Sequence, residues 1–453
     1  MTSLKKIMSA ALMFVATVAS AQDITGYWKG NIAAGTSQLE LCFDITKSGG
    51  EYKATLDVPQ QAVFNLPVSS VSFDGMNLTI SITQMNAEYS GQLVINSFMG
   101  KFSQKGITFD LNLAKGERMK FTRSQQVVRP VPYHEDEVKF KNTREGITLA
   151  GTLTTPQGNG PFPAVVLISG SGTQDRNEEL LDHKPFEVIA DYLTRNGIAV
   201  LRYDDRGAGE SEKGKKGSTS LDLSYDAEAA FEYLKADPDI DHSKIGLIGH
   251  SEGGIINYMV AARRNDVGFL ISLAGPAVKG AKLLRVQQTL NLMESGLTKE
   301  QAETAYGFYD EIFEKIIESS ELNDALTTDV RAILKKSEVP DQMAAEVVKQ
   351  ICEPWMYYFL RFDPTDNIVK VNCPALLLNG NKDVQVASFQ NLSAYRKIAE
   401  EHGKTNMTIR EMKDLNHLFQ HCQTGSTREY AVIEETVSPE VLQIIVDYIK
   451  NLK

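Results

Sequence analysis

Three residues far apart in the chain, Ser251, Asp383 and His417, have the types and order for nucleophilic catalysis. A serine hydroxyl is a weak nucleophile at neutral pH. It needs a base within hydrogen-bond reach, a third group to hold that base, and donors for the oxyanion its attack creates. Ser251 stands in IGLIGHSEGGI, residues 245–255, between an apolar run and a stretch able to form a helix. Strand, sharp turn and helix are the setting of a nucleophile elbow. Gly249 and Gly253 leave room for the turn, and a helix N-terminus behind the serine favours developing negative charge. Alone, such a run is weak, because an ordinary turn also uses small residues.

The remaining requirements can be placed independently. Asp383 ends the apolar run ALLLNGNKD, where a carboxylate can reach the neighbourhood of the serine; Asp363 and Asp366 lie in a more irregular stretch. His417 follows the strand-like MTIREM through the short loop KDLN and is the expected base. His402 falls at a helix end, and His421, four residues beyond His417, is read as a surface or supporting residue. In open parallel sheets, functional groups collect at the carboxyl ends of strands. Serine, acid and base then follow in the chain order typical of one class of hydrolases. For the oxyanion, the amide of Glu252 is one expected donor. Ser171, in the loop SGSGTQDR at 169–176, is the second, with Gly172 its competitor. Asp205 and Arg206, in RYDDRGAGES, are expected to order the loop beneath the elbow; the stretch lacks the Gly-x-Gly-x-x-Gly of a dinucleotide site.

These groups need a scaffold, and the pattern along the chain supplies one. A length of 453 residues exceeds one typical core. From about residue 23 to 113 the pattern has period two: Leu39, Leu41, Phe43, Ile45; Leu78, Ile80, Ile82; Ile107, Phe109, Leu111, Leu113. Such alternation between turns predicts a small antiparallel sandwich or barrel over residues 22–130, with Trp28 in its packing. Arg129-Pro130-Val131-Pro132 reads as a linker. From 133 to 453, continuous apolar strands alternate with helices, which predicts an α/β fold with a doubly wound, mostly parallel sheet. Only helical signals occur over about 280–362, expected to be a cap over the active-site edge.

Lys5, Lys6, an apolar stretch and Ala19-Ser20-Ala21 resemble an export leader over residues 1–21, predicting a periplasmic or secreted protein. No later run is long enough for stable membrane insertion. A net charge of −11 argues against a nucleic-acid partner. Cys42, Cys352, Cys373 and Cys422 are too scattered for a disulfide framework and are expected to be free, buried thiols. Neither Cys-x-x-Cys nor His-Glu-x-x-His occurs, so no metal site is expected, and no cofactor.

Taken in order, ISGSGTQDR (168–176), RYDDRGAGES, GHSEGG, LLLNGNKDVQV and LNHLFQ make residues from about 140 to 453 similar to the α/β-hydrolase superfamily. More narrowly, they resemble its EstD-type bacterial carboxylesterases. The resemblance implies Ser251 as nucleophile, Asp383 as orienting acid, His417 as base, a helical cap, and cofactor-free hydrolysis of short acyl esters. The chain departs from the commonest oxyanion motif, with Ser169-Gly170 where His-Gly usually stands. Its expected partner is a small-molecule ester. The rival expectations are an exported serine peptidase of the aminopeptidase type, a coenzyme A thioesterase, and a glycan-binding envelope protein with a degenerate hydrolase module.

Overall fold

The computed structural model describes residues 23–452 apart from positions 35, 36, 62, 119, 121, 295 and 306. The expected leader lies outside the described residues. The chain divides into two compact units, Met1–Lys120 and Phe121–Lys453.

In the first unit, alternation builds one curled antiparallel sheet. Its order is Val63–Pro67, Glu51–Val58, Ser37–Ser48, Gly26–Ala34, Leu113–Lys115, Ser97–Gln104, Ala87–Val94, Asn77–Ile82 and Ser70–Phe73. One face is dry: Phe43, Leu56, Leu78, Ile80, Tyr89, Phe98 and Leu113 are fully buried. Trp28 joins them, stacked edge-on against Phe98, with its Nε1–H donated to the Ile24 carbonyl. The expected run from Ile107 to Leu113 is broken in two. Ile107–Asp110 pairs only with Ser97–Gln104, which leaves Ile107 exposed while Leu111 and Leu113 are buried.

The second unit is an eight-stranded sheet with order β1-β2-β4-β3-β5-β6-β7-β8. Its strands are β1 (His134–Asn142), β2 (Ile147–Thr155), β3 (Phe162–Ile168), β4 (Ala199–Tyr203), β5 (Ile240–His250), β6 (Phe269–Leu273), β7 (Ala375–Gly380) and β8 (Met407–Met412). Strands β3 to β8 are parallel neighbours, whereas β1 and β2 are antiparallel additions at one edge. The inner strands are buried on both faces, which is why they read as unbroken apolar runs. Helices α1 (Pro185–Arg195), α2 (Ser220–Lys235) and α3 (Glu252–Arg263) cover the sheet. Arg123 and Gln125, which precede the prolines at 130 and 132, bond to carbonyls of Leu181, Ala431, Ile433 and Val437, so this stretch belongs to the second unit.

Between β6 and α10 the described residues form the cap helices α4 (Gly280–Glu294), α5 (Lys299–Ala305), α6 (Gly307–Glu318), α7 (Asp324–Lys336), α8 (Asp341–Ile351) and α9 (Pro354–Arg361). They enclose a core of their own around Ile312, Ile316, Val330, Leu334 and Leu360. The chain then returns through α10 (Thr365–Lys370) to β7, α11 (Ser388–Glu401), β8 and α12 (Pro439–Lys450). All four cysteines are free, but only Cys42 is buried; Cys352, Cys373 and Cys422 are half-buried, because their elements lie at the margins of the cores.

Helix α3 lies unusually close to the sheet, and glycines permit it. A Cβ on Gly249 would sit 2.0 Å from the Gly253 carbonyl oxygen, and one on Gly253 would sit 2.2 Å from that of Ile168. Both obstacles are backbone. Gly249→Ala is expected to destabilise the protein by on the order of 1–3 kcal/mol through overpacking, seen as a lower denaturant midpoint. Gly307→Ala, whose added methyl would meet nothing within 4 Å, should leave that midpoint unchanged.

Candidate active site

Each expected site residue follows the carboxyl end of a parallel strand. Ser169–Gly172 follow β3, Ser251 follows β5, Asp383 follows β7 and His417 follows β8. Ser251 occupies φ 52°, ψ −118°, a region that L-residues rarely adopt and that costs on the order of 1–3 kcal/mol. The turn is held from both sides: Ser251 N–H donates to Leu273 O at 2.8 Å, and Gly254 N–H donates to Ser251 O at 2.9 Å.

Asp383 is buried and fully engaged. Its Oδ1 accepts the amides of Gln385 and Val386, both at 2.8 Å, and its Oδ2 accepts Nδ1–H of His417 at 2.7 Å. This fixes the His417 tautomer and leaves Nε2 as the nitrogen free to act. Two local devices place that histidine. Asn416 Oδ1 accepts the amides of Leu418 and Gln420, which curls the loop. Gly380 lets the loop press onto β7, since a Cβ there would be 2.1 Å from Leu415 O.

Ser251, Glu252, His417, Gly170 and Ser171 border one cavity of about 350 Å³. Its apolar wall comes partly from the cap, through Leu283, Leu284, Met356 and Phe359. Gly172 faces a neighbouring cavity instead. The amide of Gly170 is already donated to Glu178 Oε1 at 2.7 Å. Among the described residues, the amides of Ser171 and Glu252 are donated to no other group. An oxygen bearing negative charge beside Ser251 would therefore meet two uncommitted N–H groups and the N-terminus of α3.

The other sequence-singled residues lie elsewhere. His421 is exposed and bonds Glu435, and His402 caps the end of α11. Asp363 pairs with Lys279, and Asp366 sits in the first turn of α10; neither borders the cavity. Of the cap aromatics, Trp355 and Phe359 line the cavity, whereas Tyr357 bonds Ser319 inside the cap and Tyr358 stacks on Phe362.

Asp205 orders the loop after β3, which lies against the elbow: a Cβ on Gly170 would sit 3.2 Å from that of Ser251. Asp205 accepts Ser169 Oγ–H and the Gln174 amide. Burial pushes its carboxyl up to about 8, against the pull of those two hydrogen bonds. Beside it, Asp204 takes a bidentate grip from Arg176. Arg206 pairs with the buried Asp226 at 2.6 Å and with Glu145 at 2.9 Å.

Three groups at the site were not singled out in the sequence by their side chains. Glu252 is buried, and its Oε1 accepts Ser220 Oγ–H at 2.5 Å and Trp355 Nε1–H at 2.9 Å, tying the elbow to the cap. Burial raises its carboxyl, with hydrogen bonds from the Ser220, Trp355 and Ser171 side chains opposing the rise. Glu178 and His250 form a buried pair that borders the cavity, with His250 Nδ1 2.9 Å from Glu178 Oε1. Charged residues beside the GHSEGG run were the available signal, but charge alone does not separate an exposed turn from a buried one.

Fold and site together define an α/β-hydrolase. Residues 183–421, a span holding Ser251, Asp383 and His417, match the family described as serine aminopeptidase, S33. The chain belongs to that hydrolase family. It is 29% identical over 300 residues to Esterase EstD of Thermotoga maritima, an alignment covering 66% of this chain and 65% of that esterase. It is 26% identical over 163 residues to the peroxisomal succinyl-coenzyme A thioesterase of Mus musculus, covering 36% of this chain and 33% of the relative. The chain thus spans less than two thirds of the length of either relative. A solved esterase of Pyrococcus furiosus, Pf2001, aligns over 74% of this chain and 99% of its own at 13% identity, with a TM-score of 0.45.

Breaking the Arg206 pairs would strand two carboxylates, one of them fully buried. Arg206→Met is expected to cost about 3–5 kcal/mol, measured as a fall in unfolding free energy in denaturant. Lys215→Met removes only a partly exposed partner of Asp222 and should cost less than about 1 kcal/mol.

Proposed function

We propose that the protein is a serine esterase that hydrolyses short-chain carboxylic esters through Ser251, His417 and Asp383. One observation carries this reading: an Asp383-held histidine and a serine in a strained elbow border the same cavity, beside two uncommitted amides. In the first step His417 Nε2 removes the Ser251 proton as Oγ attacks the ester carbonyl. The carbonyl oxygen gathers charge facing the amides of Glu252 and Ser171. The tetrahedral species collapses, and His417 returns the proton to the departing alcohol. Water, deprotonated by the same histidine, then attacks the acyl-serine, and His417 returns that proton to Ser251 Oγ as the acid is expelled. Asp383 keeps Nδ1 protonated and supports the imidazolium formed at each attack.

The modest cavity and its apolar cap wall suit a short acyl chain. The relatedness to an esterase supports an ester substrate, and the leader-like residues 1–21 support action outside the cytoplasm. A peptidase reading draws on the family's description alone.

Purified protein should turn over p-nitrophenyl acetate and butyrate faster than the laurate, and any ester faster than an aminoacyl p-nitroanilide. Ser251→Ala, with its thermal melt unchanged, should lower kcat/KM by on the order of 10⁴-fold or more. Ester turnover surviving in that variant would remove Ser251 as nucleophile. Faster release from the anilide would transfer the proposal to peptide substrates.

A further inference from the structure

The Glu178–His250 pair lies outside the three residues just given roles, yet it touches the loops that carry them. His250 is buried, and both of its ring nitrogens face acceptors: Nδ1 lies 2.9 Å from Glu178 Oε1, and Nε2 lies 3.0 Å from the backbone carbonyl oxygen of His417. The same Glu178 oxygen accepts the amide of Gly170, the residue before Ser171. The rings of His250 and His417 are 4.7 Å apart. A neutral imidazole has one N–H and can satisfy only one of two acceptors; an imidazolium satisfies both. A buried imidazolium requires a counter-charge, and Glu178 is positioned to supply it.

We propose that Glu178 and His250 form a positioning ion pair, with His250 doubly protonated, that fastens the loop of the base His417 to the loop of the oxyanion donor Ser171. The connection runs from Gly170 N–H to Glu178, from Glu178 to His250, and from His250 to His417 O. It closes between the loops after β3 and β8 and passes through the residue immediately before Ser251. One ion pair thus sets the spacing of donor, nucleophile and base. Burial alone would hold His250 neutral, but the Glu178 charge and hydrogen bond, the His417 carbonyl and the Asp383 charge together raise it above the ordinary imidazole value. Glu178 itself sits at φ 53°, an uncommon conformation for a residue with a side chain, and its Oε1 meets both Gly170 N–H and His250.

The pair rests on the serine-esterase reading for its catalytic consequence, but its protonation state can be measured independently. In protein labelled with ¹⁵N-histidine, the His250 ring, assigned by its absence in His250→Asn, should carry two bonded protons at pH 7. A single ring N–H overturns the ion pair whatever the fate of the esterase reading. In kinetics, Glu178→Ala should lower kcat on p-nitrophenyl butyrate by about 10- to 100-fold, the range seen when groups that orient a functional histidine are removed. The loss should fall chiefly on kcat rather than KM, since the pair acts by holding the His417 and Ser171 loops, although both residues also border the cavity. Glu178→Gln, which keeps an acceptor for Gly170 but no counter-charge, should recover part of that loss and show one ring proton on His250. Wild-type kcat in Glu178→Ala, or a change confined to KM, removes the positioning role. Ser251→Ala assayed in parallel separates the two ideas: its loss of turnover keeps the esterase reading even if the pair proves inert.

Discussion

Everything at the site depends on how closely α3 approaches the ends of β3 and β5. Gly249 and Gly253 meet backbone where any side chain would collide. This contact bends the chain so sharply at residue 251 that a non-glycine residue must take a positive φ. The strain persists because its surroundings outweigh it. Ser251 is hydrogen-bonded through N–H to β6 and through its carbonyl to Gly254, and residues 252–261 of α3 are buried. Packing over a whole helix therefore offsets one unfavourable residue. In return, Ser251 stands at the helix N-terminus with an uncommitted amide next to it, an arrangement that relaxed backbone would not produce.

Around this fixed point the loops are set by buried charge rather than by apolar packing. The loop after β3 is held by Asp204, Asp205 and Glu178, and the loop after β4 by Arg206 with Asp226 and Glu145. Buried pairs contribute little net stability compared with apolar substitutes, but breaking one is strongly destabilising. Their effect is to make alternative loop positions costly. A site that needs two amides and an imidazole within a fraction of an ångström gains from that kind of rigidity.

Much of this was legible in the sequence, because the signals were local. Unbroken apolar runs such as AVVLI and ALLLN belong to strands buried on both faces, and GHSEGG required the close approach later found at Gly249 and Gly253. What escaped was non-local or disguised. Strand β1, HEDEVKFKN, is an edge strand whose many charges face outward, so its Val138 and Phe140 made too faint an alternation to read. In the first unit the alternation set the buried faces of the strands but could not tell two stacked sheets from one curled sheet, since both bury every second residue. The partners of His250 and Glu252 are separated from them by 72 and 103 residues, and no spacing rule connects such positions.

The cap has its own interior but shares a wall with the site. Its helices pack around a core of their own, apart from the two cores that flank the sheet. Leu283, Leu284, Met356 and Phe359 form cavity wall without joining the Asp383–His417 or Glu178–His250 hydrogen bonds. Leu283 and Phe359 also pack on Ile255 and Met259 of α3 and on Val386, whose amide holds Asp383, so the wall and the sheet-borne groups share one apolar cluster. Trp355 adds a polar link, because its indole N–H reaches Glu252 on the first turn of α3. Cap position is thereby tied to the residue whose amide faces the cavity. Seating of the cap and the position of the first turn of α3 are thus coupled through that hydrogen bond and through the apolar cluster around Ile255 and Met259.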